Sequence, residues 1–126
     1  MLFRSRRDTG EKIFAGIQDL DTAIAQLLKD IQDNMLAMAS GFLETNSFSA
    51  ATLEEMENII LEKRGFVYAW WCGSEECELE AKERMAATIR NIPLNQEAAR
   101  VKAPKVAKCV HCGKEAEEVA IFARAY

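Results

Sequence analysis

Four cysteines are the residues whose types and spacing could do chemistry in this chain of 126 residues. Four residues separate Cys72 from Cys77, two separate Cys109 from Cys112, and 31 residues lie between the pairs. Zn²⁺ prefers four ligands in a tetrahedron, and two cysteines on one turn can supply two adjacent corners. A glycine follows Cys72 and another follows Cys112, which permits a tight backbone that turns amide N–H groups toward sulfur. The pattern predicts a zinc site with all four cysteines as its ligands.

Other chemistries for these cysteines stay open at this point. Two disulfides would need an oxidising compartment, and the N-terminal residues MLFRSRRDTG lack the apolar stretch of a secretory signal. A redox-active Cys109–Cys112 pair would leave the other pair unexplained, and the spacing is not that of a usual ferredoxin cluster. His111 could replace a cysteine, but a four-sulfur set is complete without it. Because four thiolates close the zinc shell, we expect a structural role rather than a catalytic one.

Composition limits the remaining classes of function. The chain has 20 acidic and 16 basic side chains, a net charge of −4 and 49% hydrophobic residues, which is typical of a globular domain. Its longest apolar run, residues 66–72, is far shorter than the ~20 residues of a membrane span, so we expect no membrane partner. With one histidine and no phosphate-binding glycine loop, a stand-alone enzyme is disfavoured. The length fits one domain, or a small domain with a piece of another.

A long helix is the first element predicted to support the site. Apolar residues recur at three- and four-residue steps from Leu20 to Phe42, which predicts a helix from Asp19, as its N-cap, to about Asn46. We expect this Leu, Ile and Met stripe to be core. At roughly 40 Å the helix is long for a small domain, so its stripe could pack against more than one body.

The rest of the chain predicts further helices and a small sheet. Thr52 and Glu55 form a capping box that begins a second helix, and Gly65 is expected to end it in a left-handed cap. Residues 46–51 are expected to be a polar connector. The other predicted elements are a strand buried on both faces (66–71), a helix capped by Ser74, a strand (87–93), a basic loop (94–108) and a last strand (119–124).

The predicted fold class is α/β, more closely an α+β two-layer sandwich with a small mixed sheet. Strand, helix and strand between residues 66 and 93 predict a βαβ unit with two parallel strands and a right-handed crossover. The basic residues of the loop at 97–108 could touch phosphate, although a solvated, mobile loop is the favoured interpretation. Near the N-terminus, Leu2 and Phe3 are interpreted as the last strand of a neighbouring domain, with no hairpin partner nearby.

Three stretches together resemble a known family. They are WWCGSEECELEAKERMAATIRNIPLNQ, then CVHCGK, then the terminal FARAY. They resemble the C-terminal zinc-binding domain of prolyl-tRNA synthetase, a class II aminoacyl-tRNA synthetase, in its archaeal and eukaryotic-like form. SRRDTGEK, near the N-terminus, resembles the end of that enzyme's anticodon-binding domain. The resemblance divides the chain into residues 1–18, a remnant of the anticodon-binding domain and linker, and residues 19–126, the zinc-binding domain.

The resemblance implies roles that the spacing does not show. The parent enzyme is a cytoplasmic homodimer that activates proline with ATP and Mg²⁺ and esterifies it to proline tRNA. In the family the zinc is structural, its ligands match the four cysteines here, and the terminal carboxylate, that of Tyr126 here, faces the catalytic domain. The catalytic domain is missing from this chain, so the fragment alone is expected to be inactive. Arg6 and Arg7 are possible tRNA contacts.

Two hypotheses for the function follow from the sequence. In the first, the chain is an accessory domain of a tRNA ligase, and an apolar patch should be exposed where the rest of the enzyme sits. In the second, it is a freestanding zinc module that binds RNA or protein through the basic loop and exposed aromatic residues. The second hypothesis predicts salt-dependent binding of RNA by the isolated chain.

Overall fold

A computed structural model describes the backbone of residues 2–125 and the side chains of residues 5–125. The chain divides into two compact units, Met1–Thr45 and Asn46–Tyr126. This division does not test the predicted domain boundary between residues 18 and 19, so the assignment of residues 1–18 and 19–126 to two domains stays a prediction. No helix among the described residues is long and apolar enough to cross a membrane.

The first unit begins with a β-hairpin. Strand β1 (Leu2–Ser5) pairs antiparallel with β2 (Lys12–Ala15). Gly10 takes a positive φ of 76° in the connecting turn, where Arg6 N–H donates to Glu11 O at 2.7 Å. The expectation that the first strand lacks a nearby partner is therefore wrong. Each strand has only four residues, and such short charged strands are hard to recognise before they are paired.

Helix α1 (Leu20–Thr45) follows a 3₁₀ turn at Ile17–Asp19 and confirms the predicted long helix. Asp19 lies within that turn rather than preceding the helix in an extended N-cap conformation. The prediction that the apolar stripe of α1 is core is wrong for this chain, because none of the 26 residues of the helix, all of them described, is buried. Residues of the stripe that lie 40–66% exposed are Ile24, Leu28, Met35, Leu36, Met38, Phe42 and Leu43.

The second unit is built on a four-stranded mixed sheet. Its strands are β3 (Ser47–Ser49), β4 (Phe66–Trp71), β5 (Ala87–Asn91) and β6 (Glu118–Arg124), in the order β3-β4-β6-β5. Strand β3 runs parallel to β4, while β6 runs antiparallel to both β4 and β5. The segment predicted as a polar connector therefore contributes an edge strand. The predicted βαβ unit is only partly correct, since β4 and β5 are parallel but β6 is inserted between them.

Three helices pack on this sheet, and together with α1 they make an α+β fold. They are α2 (Leu53–Glu62), α3 (Glu75–Met85) and α4 (Gln96–Lys102). Val67 and Ala69 of β4 belong to the apolar cluster that contains the buried faces of α2 and α3. Tyr68 and Trp70 belong to a second cluster with Ala99 of α4. This alternation confirms that β4 is a central strand buried on both faces.

The start of α2 confirms the capping box. Thr52 Oγ1 accepts a hydrogen bond from Glu55 N–H at 3.2 Å, and Glu55 Oε2 accepts one from Ala51 N–H at 2.8 Å. The end of α2 differs from the prediction, because Arg64 rather than Gly65 takes the left-handed conformation, with a φ of 54°. Gly65 is needed for space instead: a Cβ there would lie 2.5 Å from the Phe48 ring.

Helix α4 replaces the first part of the predicted mobile loop. Asn95 caps it by accepting a hydrogen bond from Ala98 N–H at 3.1 Å. The Gln96 side chain then pairs with both backbone groups of Val119: its Oε1 accepts from Val119 N–H at 2.8 Å, and its Nε2 donates to Val119 O at 3.1 Å. Gln96 thereby imitates one residue of a neighbouring strand beyond the end of β5, and it fixes α4 to the sheet.

Candidate metal centre

The first cysteine pair lies where β4 passes into α3. Cys72 directly follows β4, and Gly73 then turns the chain with a positive φ of 83°. The indole N–H of Trp71 donates to Ser74 O at 3.0 Å, which fixes this turn. Cys77 lies in the first turn of α3 and is buried. The tight turn predicted from the glycine is therefore present, and it brings both sulfur atoms to one side.

The second pair lies on a short hairpin that is attached to β4. Cys109 N–H donates to Lys114 O at 2.8 Å, and Gly113 N–H donates to Cys109 O at 3.0 Å. Gly113 has a positive φ of 69°, as the predicted tight turn requires. Val110 N–H donates to Trp70 O at 2.9 Å, two residues before Cys72. This hydrogen bond holds the hairpin beside the first cysteine pair.

The four sulfur atoms form one cluster in which all lie within 4.8 Å of one another. Cys72 Sγ is 3.6 Å from Cys77 Sγ and 3.7 Å from Cys112 Sγ. Tetrahedral zinc with Zn–S bonds of about 2.3 Å has sulfur atoms roughly 3.8 Å apart. The cluster therefore matches the dimensions of a closed four-thiolate site. Thiolates in this arrangement select Zn²⁺ or iron–sulfur chemistry rather than Mg²⁺ or Ca²⁺.

The protein environment treats the four thiols differently. Burial raises the pKa of Cys72 and, more strongly, that of Cys77, despite its place at a helix N-terminus. Burial also acts to raise the pKa of Cys109, but the backbone N–H groups of Cys112 and His111 outweigh it and lower the value to about 7. A metal ligand must be deprotonated, so a cation is needed to hold all four as thiolates.

Residues predicted outside the cysteine cluster have different surroundings. Arg6 forms a two-pronged pair with Asp8, with Nε–Oδ1 at 3.1 Å and Nη2–Oδ2 at 2.7 Å, so part of its guanidinium is already engaged. Arg7 is exposed. His111 is exposed and is not part of the sulfur cluster. Tyr126, expected to face a catalytic domain, lies outside the described residues.

The basic residues of the predicted loop are partly engaged with the domain itself. The Arg100 guanidinium lies 5.7 Å from the centre of the Trp70 ring and donates to Glu117 O at 2.7 Å. Lys102 Nζ lies 5.3 Å from the centre of the Tyr68 ring. Sequence reasoning missed these cation–π contacts, because they join residues 30 and 34 positions apart. Both contacts help to attach α4 to the face of β4.

Comparison with known proteins identifies the family. The family model for the C-terminal region of prolyl-tRNA synthetase matches residues 53–126. This chain belongs to that family. The resemblance seen in the sequence motifs is therefore confirmed.

Relatives of this prolyl-tRNA synthetase domain are much longer proteins. The proline–tRNA ligase of Natranaerobius thermophilus is 39% identical over 123 residues, which cover 96% of this chain and 24% of that protein. The enzyme of Ruminiclostridium cellulolyticum is 39% identical over 121 residues, with the same coverage. A crystal structure of prolyl-tRNA synthetase from Cryptosporidium parvum with L-proline and AMP matches with a TM-score of 0.79 and 28% identity, covering 95% of this chain and 24% of that one. The chain thus spans about a quarter of the length of these relatives.

Within this prolyl-tRNA synthetase domain, the family match includes the whole candidate metal centre. It begins at residue 53, where α2 starts, and contains all four cysteines. The hairpin and α1 precede the matched residues, but the match to the longer relatives covers 96% of this chain and therefore extends into them. The candidate site is thus part of the region that defines the family.

Proposed function

We propose that the chain is a structural, accessory part of a proline–tRNA ligase, the enzyme that activates proline with ATP and Mg²⁺ and esterifies it to proline tRNA. The observation that carries this proposal is the closed cluster of four sulfur atoms in a chain that aligns with such ligases over 96% of its length. A closed site leaves no position for substrate, which fits scaffolding better than catalysis. We expect the whole enzyme to be a cytoplasmic homodimer.

The proposed metal is a structural Zn²⁺ held by the four cysteines. When bound, it would supply a cross-link between the β4–α3 turn and the hairpin at residues 108–115. The protein residues themselves hold this geometry through the Val110–Trp70 hydrogen bond and the two left-handed glycines. Structural zinc contributes roughly 10 kcal/mol to the folding free energy of small zinc-finger peptides. In a domain that also has an apolar core, we expect its contribution to be smaller than that but still enough to shift the melting temperature.

Metal content and thermal melting test the structural role. We expect one zinc per chain, and a lower melting temperature after treatment with a strong chelator, restored by added Zn²⁺. A chelator already saturated with Zn²⁺ is the matched control. If chelation removes the metal and the melting curve does not change, the structural role is wrong.

The exposed apolar face of α1 supports the presence of neighbouring domains. Leu28, Met35 and Phe42 are 62%, 59% and 66% exposed on a helix of 26 residues. Domains that function alone rarely expose a large contiguous apolar patch. The chain also spans only about a quarter of the length of its relatives. We therefore propose the catalytic and anticodon-binding domains of the synthetase as partners, with residues 1–18 as the end of the latter.

Aminoacylation and RNA-binding assays test this accessory role. We expect the chain alone to attach no proline to tRNA when it is supplied with proline, ATP and Mg²⁺. Filter binding with proline tRNA at two salt concentrations should show only weak binding that salt abolishes. The alternative, a freestanding RNA-binding zinc module, predicts tight and specific binding. It is disfavoured because Tyr68 and Trp70 are buried rather than exposed for stacking on bases.

A further inference from the structure

The four cysteines of the cluster differ in their access to solvent. Cys77 and Cys109 are buried, with 6% and 2% exposure, and Cys72 is intermediate. Cys112 is exposed. It lies in the hairpin turn, next to Gly113. A solute that approaches the cluster from water therefore meets the residue Cys112 before the other three cysteines. Susceptibility of cysteine to oxidation follows exposure and thiolate character, and a metal-ligating cysteine is a thiolate.

The sulfur beside Cys112 is that of Cys72. Their Sγ atoms lie 3.7 Å apart, and a disulfide needs about 2.05 Å, so the two must approach by less than 2 Å. Each residue precedes a glycine with positive φ in a turn, and neither lies in a helix or strand. Cys77, whose Sγ is 3.6 Å from that of Cys72, is fixed in the first turn of α3. Cys109 is buried, and both its N–H and its carbonyl oxygen are hydrogen-bonded within the hairpin. The pair most able to close is thus Cys72 with Cys112.

We propose that Cys112 is an oxidation site, and that a hydroperoxide converts Cys112 and Cys72 into a disulfide while Cys77 and Cys109 stay reduced. The inference rests on the metal centre of the proposed function. Oxidation of Cys112 would make the proposed zinc centre sensitive to oxidants. With two of the four ligands oxidised, the cluster keeps too few thiolates to retain Zn²⁺.

The chemistry balances with hydrogen peroxide as the oxidant. The Cys112 thiolate attacks one peroxide oxygen, the O–O bond breaks, hydroxide leaves, and the sulfur becomes a sulfenic acid. The Cys72 thiolate then attacks that sulfur, so an S–S bond forms, the S–O bond breaks and a second hydroxide leaves. Two electrons pass from the two sulfur atoms to the peroxide, and two solvent protons convert the hydroxides into water. A dithiol reductant reverses the product to two thiols.

Mapping of the disulfide in the wild-type chain is the direct test. Zinc-loaded protein is treated with hydrogen peroxide until half the zinc is released, measured with a colorimetric zinc indicator, and is then alkylated. Trypsin followed by cleavage after glutamate separates Cys72 from Cys77, and fragment ions distinguish Cys109 from Cys112. We expect a Cys72–Cys112 cross-link as the main product, in proportion to the zinc released. A main product of Cys109–Cys112 or Cys72–Cys77, or zinc release without any disulfide, overturns the proposal.

Two matched variants each remove one ligand from the same hairpin. Cys109→Ser keeps the proposed pair, whereas Cys112→Ser removes its exposed member. Both variants are first shown by Co²⁺ absorption to retain metal. We expect peroxide to form the Cys72–Cys112 cross-link in Cys109→Ser. We expect peroxide to release metal from Cys112→Ser roughly tenfold more slowly, or slower still, than from Cys109→Ser. Equal release rates contradict the proposal. Wild-type chain that binds no metal at all would refute the proposed zinc centre instead, so the two failures are distinguishable.

Discussion

Gly65 offers a sharp test of how the sheet is packed. It lies between α2 and β4, where the chain passes close to the edge strand β3. A Cβ at residue 65 would lie 2.5 and 2.8 Å from two carbons of the Phe48 ring and even closer to the carbonyl oxygen of Asn46. Because that oxygen accepts a hydrogen bond from Phe66 N–H at 2.7 Å, it cannot move away without loosening the β3–β4 pairing. Gly65→Ala must therefore destabilise the second unit.

The size of this effect can be worked from the two contacts. Overpacking of this kind costs roughly 1–3 kcal/mol. A weakened backbone hydrogen bond adds about 1 kcal/mol. Alanine also restricts the unfolded chain, which offsets about 0.5 kcal/mol. The net loss in the free energy of unfolding is about 2.5 kcal/mol. For a unit of about 80 residues, this lowers the melting temperature by roughly 15 °C.

Thermal melting of zinc-loaded protein, followed by circular dichroism, measures this loss. Gly41→Ala is the matched control, because a Cβ at residue 41 of α1 meets nothing within 4 Å. That substitution is expected to stabilise α1 by up to about 1 kcal/mol, since alanine is the better helix former. If Gly65→Ala melts within about 2 °C of the wild type, the close approach of β3 to residue 65 is wrong.

Two further predictions concern local polar contacts. Thr52→Ala removes the N-cap of α2 and should lower the free energy of unfolding, measured in urea, by about 1 kcal/mol. Thr52→Ser keeps a capping hydroxyl and should stay near wild type, so equal losses in the two variants would contradict the capping role. Asp8→Asn tests the pair with Arg6, whose hydrogen bond holds the pKa of Asp8 below its ordinary value of 3.8. The pair stabilises the folded state at pH values above 3.8, where the carboxylate is ionised in both states. The difference in melting temperature between wild type and Asp8→Asn should therefore be full near about pH 6 and shrink as the pH falls below 3.8. A difference that does not change with pH would refute the pairing.

The cluster of four cysteines was the part of the structure that the sequence predicted best, for a physical reason. Each cysteine pair lies on a single short turn, so its two sulfur atoms are neighbours whatever the rest of the fold does. The glycines after Cys72 and Cys112 take the positive φ that these turns require. The two pairs must still be brought together, and the preference of zinc for four ligands predicts that they meet. In the structure the Val110–Trp70 hydrogen bond holds them side by side.

The sheet order was not predictable in the same way. Strand β6 lies between β4 and β5, and its partners in β4 are about 50 residues away in sequence. Hydrophobic patterns show that β4, β5 and β6 are strands, but they do not show which strand is inserted between two others. A parallel β4–β5 pair and a split pair, with β6 in the middle, have the same local sequence signals. Only the packing of the whole unit distinguishes them.

Helix α4 shows how tertiary contacts stabilise a short element. Its seven residues fall well below the length at which an isolated helix is stable in water. Its stability comes from the Asn95 cap, the Gln96 contacts with Val119 and the position of Arg100 over Trp70. None of these contacts leaves a periodic signal in the sequence. The Ala- and Lys-rich segment therefore looked like a loop, although the structure uses it to cover one face of β4.

Helix α1 poses a different problem, because periodicity shows that a face requires burial but not what buries it. The helix is about 39 Å long at 1.5 Å per residue, whereas each strand of the preceding hairpin spans only about 13 Å. The hairpin reaches α1 through the hydrogen bond from Asn34 to Asp8, and Leu27 and Ile31 nearby are half-buried. It is too short to cover the rest of the helix, where Phe42 is 66% exposed. The stripe was correctly recognised as apolar, and this hairpin leaves most of it exposed.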